Sequence, residues 1–226
     1  MSEARSLTMV PIGADGLARL EGTTLLKVAG IGAKRALAAS EFLIAEGAAA
    51  LLSWGSGGAL HPKLSPGNLI LPKSVIVSQN HVFPTDTDWH NRLVARLKDR
   101  LEIHSEPLAQ SPSVLASPLE KFTFSNQNDA IAVDMESGSV AEMASRANLP
   151  FMAIRAIADT ADMAIPASGL NAIDEYGRLR PMRLLNSLAR KPADLVPLVR
   201  LSRSFRAART TLEKVVRLAG NDLLAF

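Results

Sequence analysis

The chain has 226 residues, 47% of them hydrophobic, which allows one α/β domain of ordinary size or two small ones. Lys and Arg number 25 against 22 Asp and Glu, a formal charge of +3, and there is no cysteine, so disulfides, thiolate metal sites and a cysteine nucleophile are excluded. The opening residues MSEARSLTMVPIGADG lack the apolar core of a signal peptide, and no apolar run approaches the roughly 20 residues of a membrane span, so the expectation is a soluble, cytoplasmic protein.

In chain order, TTLLKVAGIG (23–32) predicts a strand ending in a glycine turn, and AKRALAASEFLIAEG (33–47) a helix with a glycine stop. AAALLSWGSGGAL (48–60) reads as an apolar strand breaking into glycines, and PGNLILPKSVIVSQNHV (66–82) as one or two further strands. TDWHNRLVARLKDRL (87–101) predicts an amphipathic helix begun by a capping Thr or Asp, and PSVLASP (112–118) a short strand. DAIAVDMES is the next strand, GSVAEMASRANL the helix after it, and PFMAIRAIAD another strand. Residues 163–181 predict a loop into C-terminal helices. Continuous apolar strands alternating with helices indicate a sheet covered on both faces, hence an α/β fold. Neither repeats nor low-complexity linkers interrupt the chain, so residues 1–226 are expected as one domain, with 183–219 as a basic, amphipathic helical extension.

In open α/β sheets, ligands gather beyond the carboxyl ends of the strands. Three stretches place chemistry there. AGIG (29–32) and GSGG (55–58) each read first as a tight structural turn, although both could bring backbone N–H groups close to an anion or a sugar. The third is a set of acids: Asp134 and Glu136 after one strand, Asp159 and Asp162 after another. Capping of the following helix accounts for Asp134 and Ser137. It does not account for Asp159, because TADMAIP runs into a loop. Read blandly, Glu136 is an exposed acid at a helix start and Asp159 part of an Asx turn. The four histidines, His61, His81, His90 and His104, are dispersed without ligand spacing, and G-x-S-x-G does not occur, so neither a metal site nor a serine-hydrolase elbow is expected.

The stretch AIAVDMESGSVAEMASRANLPFMAIRAIADTAD resembles the nucleoside phosphorylase and nucleosidase superfamily, which includes purine nucleoside phosphorylases and methylthioadenosine/S-adenosylhomocysteine nucleosidase. LLKVAGIGAKRA and SWGSGGALHPKLSPGNLILP are similar to two further motifs of that superfamily, in the same order. TDTDWHNRL and the tail LNSLARKPADLVPLVRLSRSFRAARTTL look more like one branch, the hopanoid-associated phosphorylases or adenosylhopane nucleosidases. The resemblance implies a three-layer α/β/α fold around a central mixed, partly barrel-like sheet. It also implies cleavage of the N-glycosidic bond of a 5′-substituted adenosine by phosphate or water, with no cofactor and with a homo-oligomer as the working form. By the match, Asp159 is the general acid near the purine N7, Glu136 holds the ribose hydroxyls, and Met135 packs against the sugar. Gly30, Gly32, Ser56 and Gly57 line the phosphate or nucleophile turn, Ser117 and Leu119 line the base pocket, and Arg155 is a structural ion-pair partner. Arg35 either reaches an anion at a helix start or lies on a solvated face.

Two departures from the pattern stand out. The acid that activates water in the hydrolases would fall near Leu17 to Arg19, where no acid stands, and neither Asp15 nor Glu21 aligns with it. Alanine occupies position 158, where nucleosidases often carry a serine that orients the acid. The departures leave open phosphate as the nucleophile, a soluble methylthioadenosine/S-adenosylhomocysteine nucleosidase, and a catalytically impaired relative acting as a binding or membrane-associated protein.

The tail is unevenly charged, with nine Lys or Arg between Arg183 and Arg217 against Asp194 and Glu213. On a helical wheel Leu198, Leu201, Phe205, Ala208, Leu212, Val215 and Val216 share a face opposed by Arg200, Arg203, Arg206, Lys214 and Arg217. Such a helix either packs on the domain by its apolar face or lies peripherally on an anionic membrane. Only 4% of the chain is aromatic and no aromatics interleave the basic face, so nucleic acid is not an expected partner.

Overall fold

A computed structural model describes residues 17–19, 24–174, 176–224 and 226. Asp15 and Glu21 lie outside these residues. Strands β1 (Leu17–Arg19) and β2 (Leu25–Lys27) form a separate antiparallel pair, so the strand expected over 23–32 shrinks to three residues before its glycine turn. Helix α1 (Ala33–Ala45) follows, then the nine-residue strand β3 (Leu51–Ala59) and the short strands β4 (Leu69–Ile70), β5 (Ser74–Ser78) and β6 (His81–Pro84). Helix α2 (Thr87–Leu97) begins where the Asp86 carboxylate accepts from the Trp89 N–H at 2.7 Å. Strands β7 (Ile103–His104) and β8 (Leu108–Gln110) lead to helix α3 (Pro118–Gln127). Then come β9 (Ala132–Asp134), α4 (Ser137–Arg146), β10 (Phe151–Asp159), α5 (Ala167–Asn171), α6 (Pro181–Arg190) and α7 (Leu195–Ala219).

The main sheet has eight strands in the order β6-β5-β8-β9-β3-β10-β4-β7 and is mixed. β3 runs parallel to β10 along nearly its whole length, from Leu51↔Phe151 to Gly58↔Asp159, and antiparallel to β9 at Gly58↔Val133. β10 is buried throughout, and its side chains alternate between two cores. Phe151, Ala153 and Ile157 join the α4 side with Leu51 and Ala141, while Met152 and Ile154 join Trp89, Leu93 and Val215 of α2 and α7. Helices therefore cover both faces, and the expected α/β fold is the one observed.

Three local expectations change. Residues 112–117 form a loop rather than a strand, in which the Ser111 hydroxyl donates to the Ser113 carbonyl at 2.6 Å, and Pro118 already begins α3. The loop expected over 163–181 contains the short helix α5. The C-terminal helical segment is broken at 191–194, a short 3₁₀ turn at Pro192–Asp194 separating α6 from α7. The apolar face of α7 packs on β10: Leu201, Ala208 and Val215 are buried, and Ala208 meets Ala156 and Ala158. Among the described residues, no helix is long and apolar enough to cross a membrane.

Candidate functional site

β9 and β10 are not neighbours, as β3 lies between them, and β9 runs against the other two strands. The acids that end β9 and β10 therefore flank one central strand, along the part of β3 occupied by its glycines. Glycine is needed there. A Cβ on Gly57 would stand 2.9 Å from the Val133 carbonyl oxygen, and a Cβ on Gly58 would stand 3.0 Å from the Asp159 carboxylate. Gly57 is buried and Ser56 beside it is exposed.

Asp134 is consumed by structure. Its carboxylate accepts from the Ser137 N–H at 3.2 Å, from the Glu136 N–H at 3.3 Å and from the Ser137 hydroxyl, so it caps α4. It also accepts from Arg155 Nε at 2.7 Å, and Arg155 Nη2 donates to the Ser53 hydroxyl at 2.6 Å. The whole cluster is buried between β3, β9, β10 and α4. Arg155 is thus the ion-pair partner expected of it.

Glu136 behaves differently, though it is two residues away. It occupies the N-cap position of α4 without capping it. Its Oε1 accepts the backbone N–H of Gly32 at 2.8 Å, and Gly32 is itself the N-cap of α1. Gly30 and Gly32 both have positive φ, 89° and 98°, so a side chain there would be strained. α1 and α4 pack together, and their N-termini converge on this carboxylate. A helix N-terminus favours negative charge, and Glu136 supplies it from within the chain. Burial, together with the neighbouring charge of Asp134, nevertheless pushes the Glu136 carboxyl above the usual carboxylate range. Met135, between the two acids, is half-buried.

Asp159 ends β10 and is 7% exposed. Its partner is Lys121 of α3, only 1% exposed, whose ammonium lies 2.5 Å from Asp159 Oδ2. The same ammonium donates to the carbonyls of Thr160 at 2.6 Å and Met163 at 3.0 Å. Its three donors are all used, so a fully buried lysine is satisfied. Burial pushes the Asp159 carboxyl upward, and the Lys121 charge pulls against that without overcoming it. Ala158, at the position where nucleosidases often carry a serine, is buried against Ala208 of α7. Lysine from α3 orients the acid instead.

Lys121 escaped the sequence reading, although its helix announced itself. Ser117 and Glu120 form a reciprocal capping box with Pro118 at the first helical position, a pattern legible in SPLE. The same helix start carries the two residues expected at the base pocket. The Ser117 hydroxyl bonds to Glu120, and Leu119 is 72% exposed. No group of His, Asp and Glu able to hold a metal occurs among the described residues.

This geometry can be set beside known proteins. The family profile described as the phosphorylase superfamily matches residues 18–177. A 5′-methylthioadenosine/S-adenosylhomocysteine nucleosidase of Buchnera aphidicola subsp. Baizongia pistaciae (strain Bp) is 25% identical over 181 residues, covering 72% of this chain and 66% of its own length. The chain thus spans just under two-thirds of that curated relative. Among solved structures, the Neisseria meningitidis 5′-methylthioadenosine/S-adenosylhomocysteine nucleosidase with methylthio-immucillin-A superposes with a TM-score of 0.66 at 17% identity, over 95% of this chain and 89% of that one. The Streptococcus pyogenes S-adenosylhomocysteine nucleosidase with 5-methylthiotubercidin reaches 0.65 at 15% identity, over 86% and 77%. At these identities the likeness is one of fold. With most of its length inside the family profile, the chain belongs to the phosphorylase superfamily.

Proposed function

We propose that this protein cleaves the N-glycosidic bond of a 5′-substituted adenosine and releases adenine, with phosphate or water as acceptor. The observation that carries the reading is the pair of carboxyls, Glu136 and Asp159, set on either side of the β3 glycines and both pushed upward by burial. Breaking the C1′–N9 bond sends its electrons into the purine while the sugar gains positive charge. A protonated Asp159 beside N7 gives its proton to the base, which leaves neutral. Glu136 holds the ribose hydroxyls and stabilises the developing charge, with Met135 against the sugar. An oxygen of phosphate, which needs no deprotonation to attack, then closes on C1′ over the turns of Gly30, Gly32, Ser56 and Gly57; where water attacks instead, its proton passes to solvent. Lys121 is a positioning residue, holding Asp159 where the resemblance would place a serine. Glu136 keeps the Gly32 N–H on Oε1 and has acceptor sites left for the ribose hydroxyls.

For the 5′ substituent we propose a hopane, as the resemblance of TDTDWHNRL and the tail implies. TDTDWHNRL begins α2, which packs on the C-terminal end of α7 just beyond the tail motif: Trp89 and Leu93 share one core with Val215 and Ala219, and Trp89 Nε1 donates at 3.0 Å to the carbonyl of Leu223, in the turn after α7. A homo-oligomer is the proposed working form. Soluble cleavage of methylthioadenosine is the second reading, favoured by the likeness to the Buchnera nucleosidase. The deciding assay is adenine release from methylthioadenosine and from adenosylhopane, each with and without phosphate, with Asp159→Asn as control. Phosphate-dependent release from the lipid substrate, lost in the variant, is expected. Release from methylthioadenosine alone would replace the hopane reading with the soluble one, and no release from folded protein would overturn both.

A further inference from the structure

The apolar face of α7 is taken up by β10, yet the molecule still leaves a line of large apolar side chains in water. α6 has no buried residue at all. It rests on the domain through Leu184, Ser187 and Leu188, which are half-buried, and turns Met182 and Leu185 outward. Met182 is 71% exposed. After the turn at 191–194, the first residues of α7 repeat the arrangement. Leu198 faces inward, where a Cβ on Gly169 would meet its Cδ2 at 2.9 Å, while Leu195, Val196 and Val199 face out. Val196 is 77% exposed. The turn between the helices is fixed rather than loose. Asp194 is buried, accepts from the Ser168 hydroxyl and pairs with Lys191 at 3.2 Å.

Charge decides what such a surface fits. From Asp174 to Arg206 the chain carries eight Lys or Arg, at 178, 180, 183, 190, 191, 200, 203 and 206, against Asp174, Glu175 and the buried Asp194. Arg180 pairs with Asp174 at 3.0 Å and Arg200 lies 3.9 Å from Asp162, yet the balance stays positive. All eight cations are exposed. On α6, Arg183 and Arg190 each lie about a quarter-turn round the helix from Met182, and on α7 Arg200, Arg203 and Arg206 follow directly on Val199 and share its exposed side. A second copy docked two-fold on this face would set arginine against arginine, which is repulsive. An anionic bilayer answers both features: apolar side chains enter the boundary between headgroups and acyl chains, and long cationic side chains reach lipid phosphates.

We propose that α6 and the first turns of α7 form a docking surface for an anionic lipid membrane. It differs from the apolar-face contact that the sequence suggests, because the face that packs on β10 takes no part. The proposal rests on this surface alone and stands whichever adenosine is the substrate.

The test is co-sedimentation of the full chain with vesicles of phosphatidylcholine, alone or mixed with phosphatidylglycerol. Binding to the mixed vesicles only, weakening with added salt, is expected. Leu185→Asp with Val196→Asp should abolish it, and Arg183→Gln or Arg203→Gln should each weaken it roughly fivefold. These positions are exposed, so unchanged melting of the variants confirms that folding is intact. Failure of the unaltered chain to bind either vesicle would overturn the proposal. Full binding by the double aspartate variant would also overturn it. A dimer that the same variant splits, without vesicle binding, would give the surface to a second copy instead.

Discussion

Two aspartates flank β3, each facing a buried cation, and they are built for different ends. Asp134 meets Arg155, the Ser137 hydroxyl and two backbone N–H groups, so its lone pairs are spent within the fold. Asp159 meets one ammonium at the open end of its strand, and burial still holds its carboxyl above the ordinary range. Partner number and position, rather than residue type, separate a carboxylate that braces a sheet from one that the proposed chemistry uses as a proton donor. Lys121 draws the same contrast from the cation's side. Two of its three bonds go to carbonyls of the segment after β10, so it ties down the loop as well as the acid.

The largest effect should come from breaking the bracing pair. Arg155→Leu leaves Asp134 buried and under-compensated and is expected to cost about 3–5 kcal/mol in denaturant unfolding. A loss well under about 1 kcal/mol would erase the distinction between the two pairs. Asp159→Asn keeps an oxygen for Lys121 but removes the proton. Adenine release should fall roughly 10²–10⁴-fold, with the fold retained by circular dichroism.

Lys121→Met sharpens the contrast through pH. A proton donor works below its pKa, so the rate falls as pH rises through that of Asp159. Lys121 favours the ionised form, hence its removal raises the pKa further and moves this descending limb of kcat/KM to higher pH. A limb that stays in place, or moves down, would show that Lys121 does not govern the acid. The smallest effect is expected from Ser117→Ala, which removes the cap of α3, the helix that carries Lys121. It should cost about 1 kcal/mol in thermal or denaturant unfolding.

Much of this was legible in local pattern. The apolar runs of β3 and β10, the helical spacing of α2 and α4 and the glycine turn before α1 all express periodicities of a few residues, which backbone geometry imposes directly. The capping box of α3 is equally visible in SPLE, but the apolar residues of PSVLASP beside it suggest a strand and mask the helix start. The acids themselves could be singled out by position. Their chemistry could not, because it is set by partners distant in sequence.

By itself, then, the sequence determined the α/β class, the family motifs and Glu136 and Asp159 as the residues to watch. Only the tertiary structure decided that Asp159 is held by Lys121, 38 positions away, and that Glu136 is held by Gly32, 104 positions away. It alone decided that Ala158 packs on α7, and that the exposed apolar line runs along α6 and the start of α7 rather than down the face of α7. The physical reason is common to all of these. Periodicity records which side of an element is apolar, but burial, ion pairing and the raised carboxyl pKa values arise from contacts between elements that no local window contains.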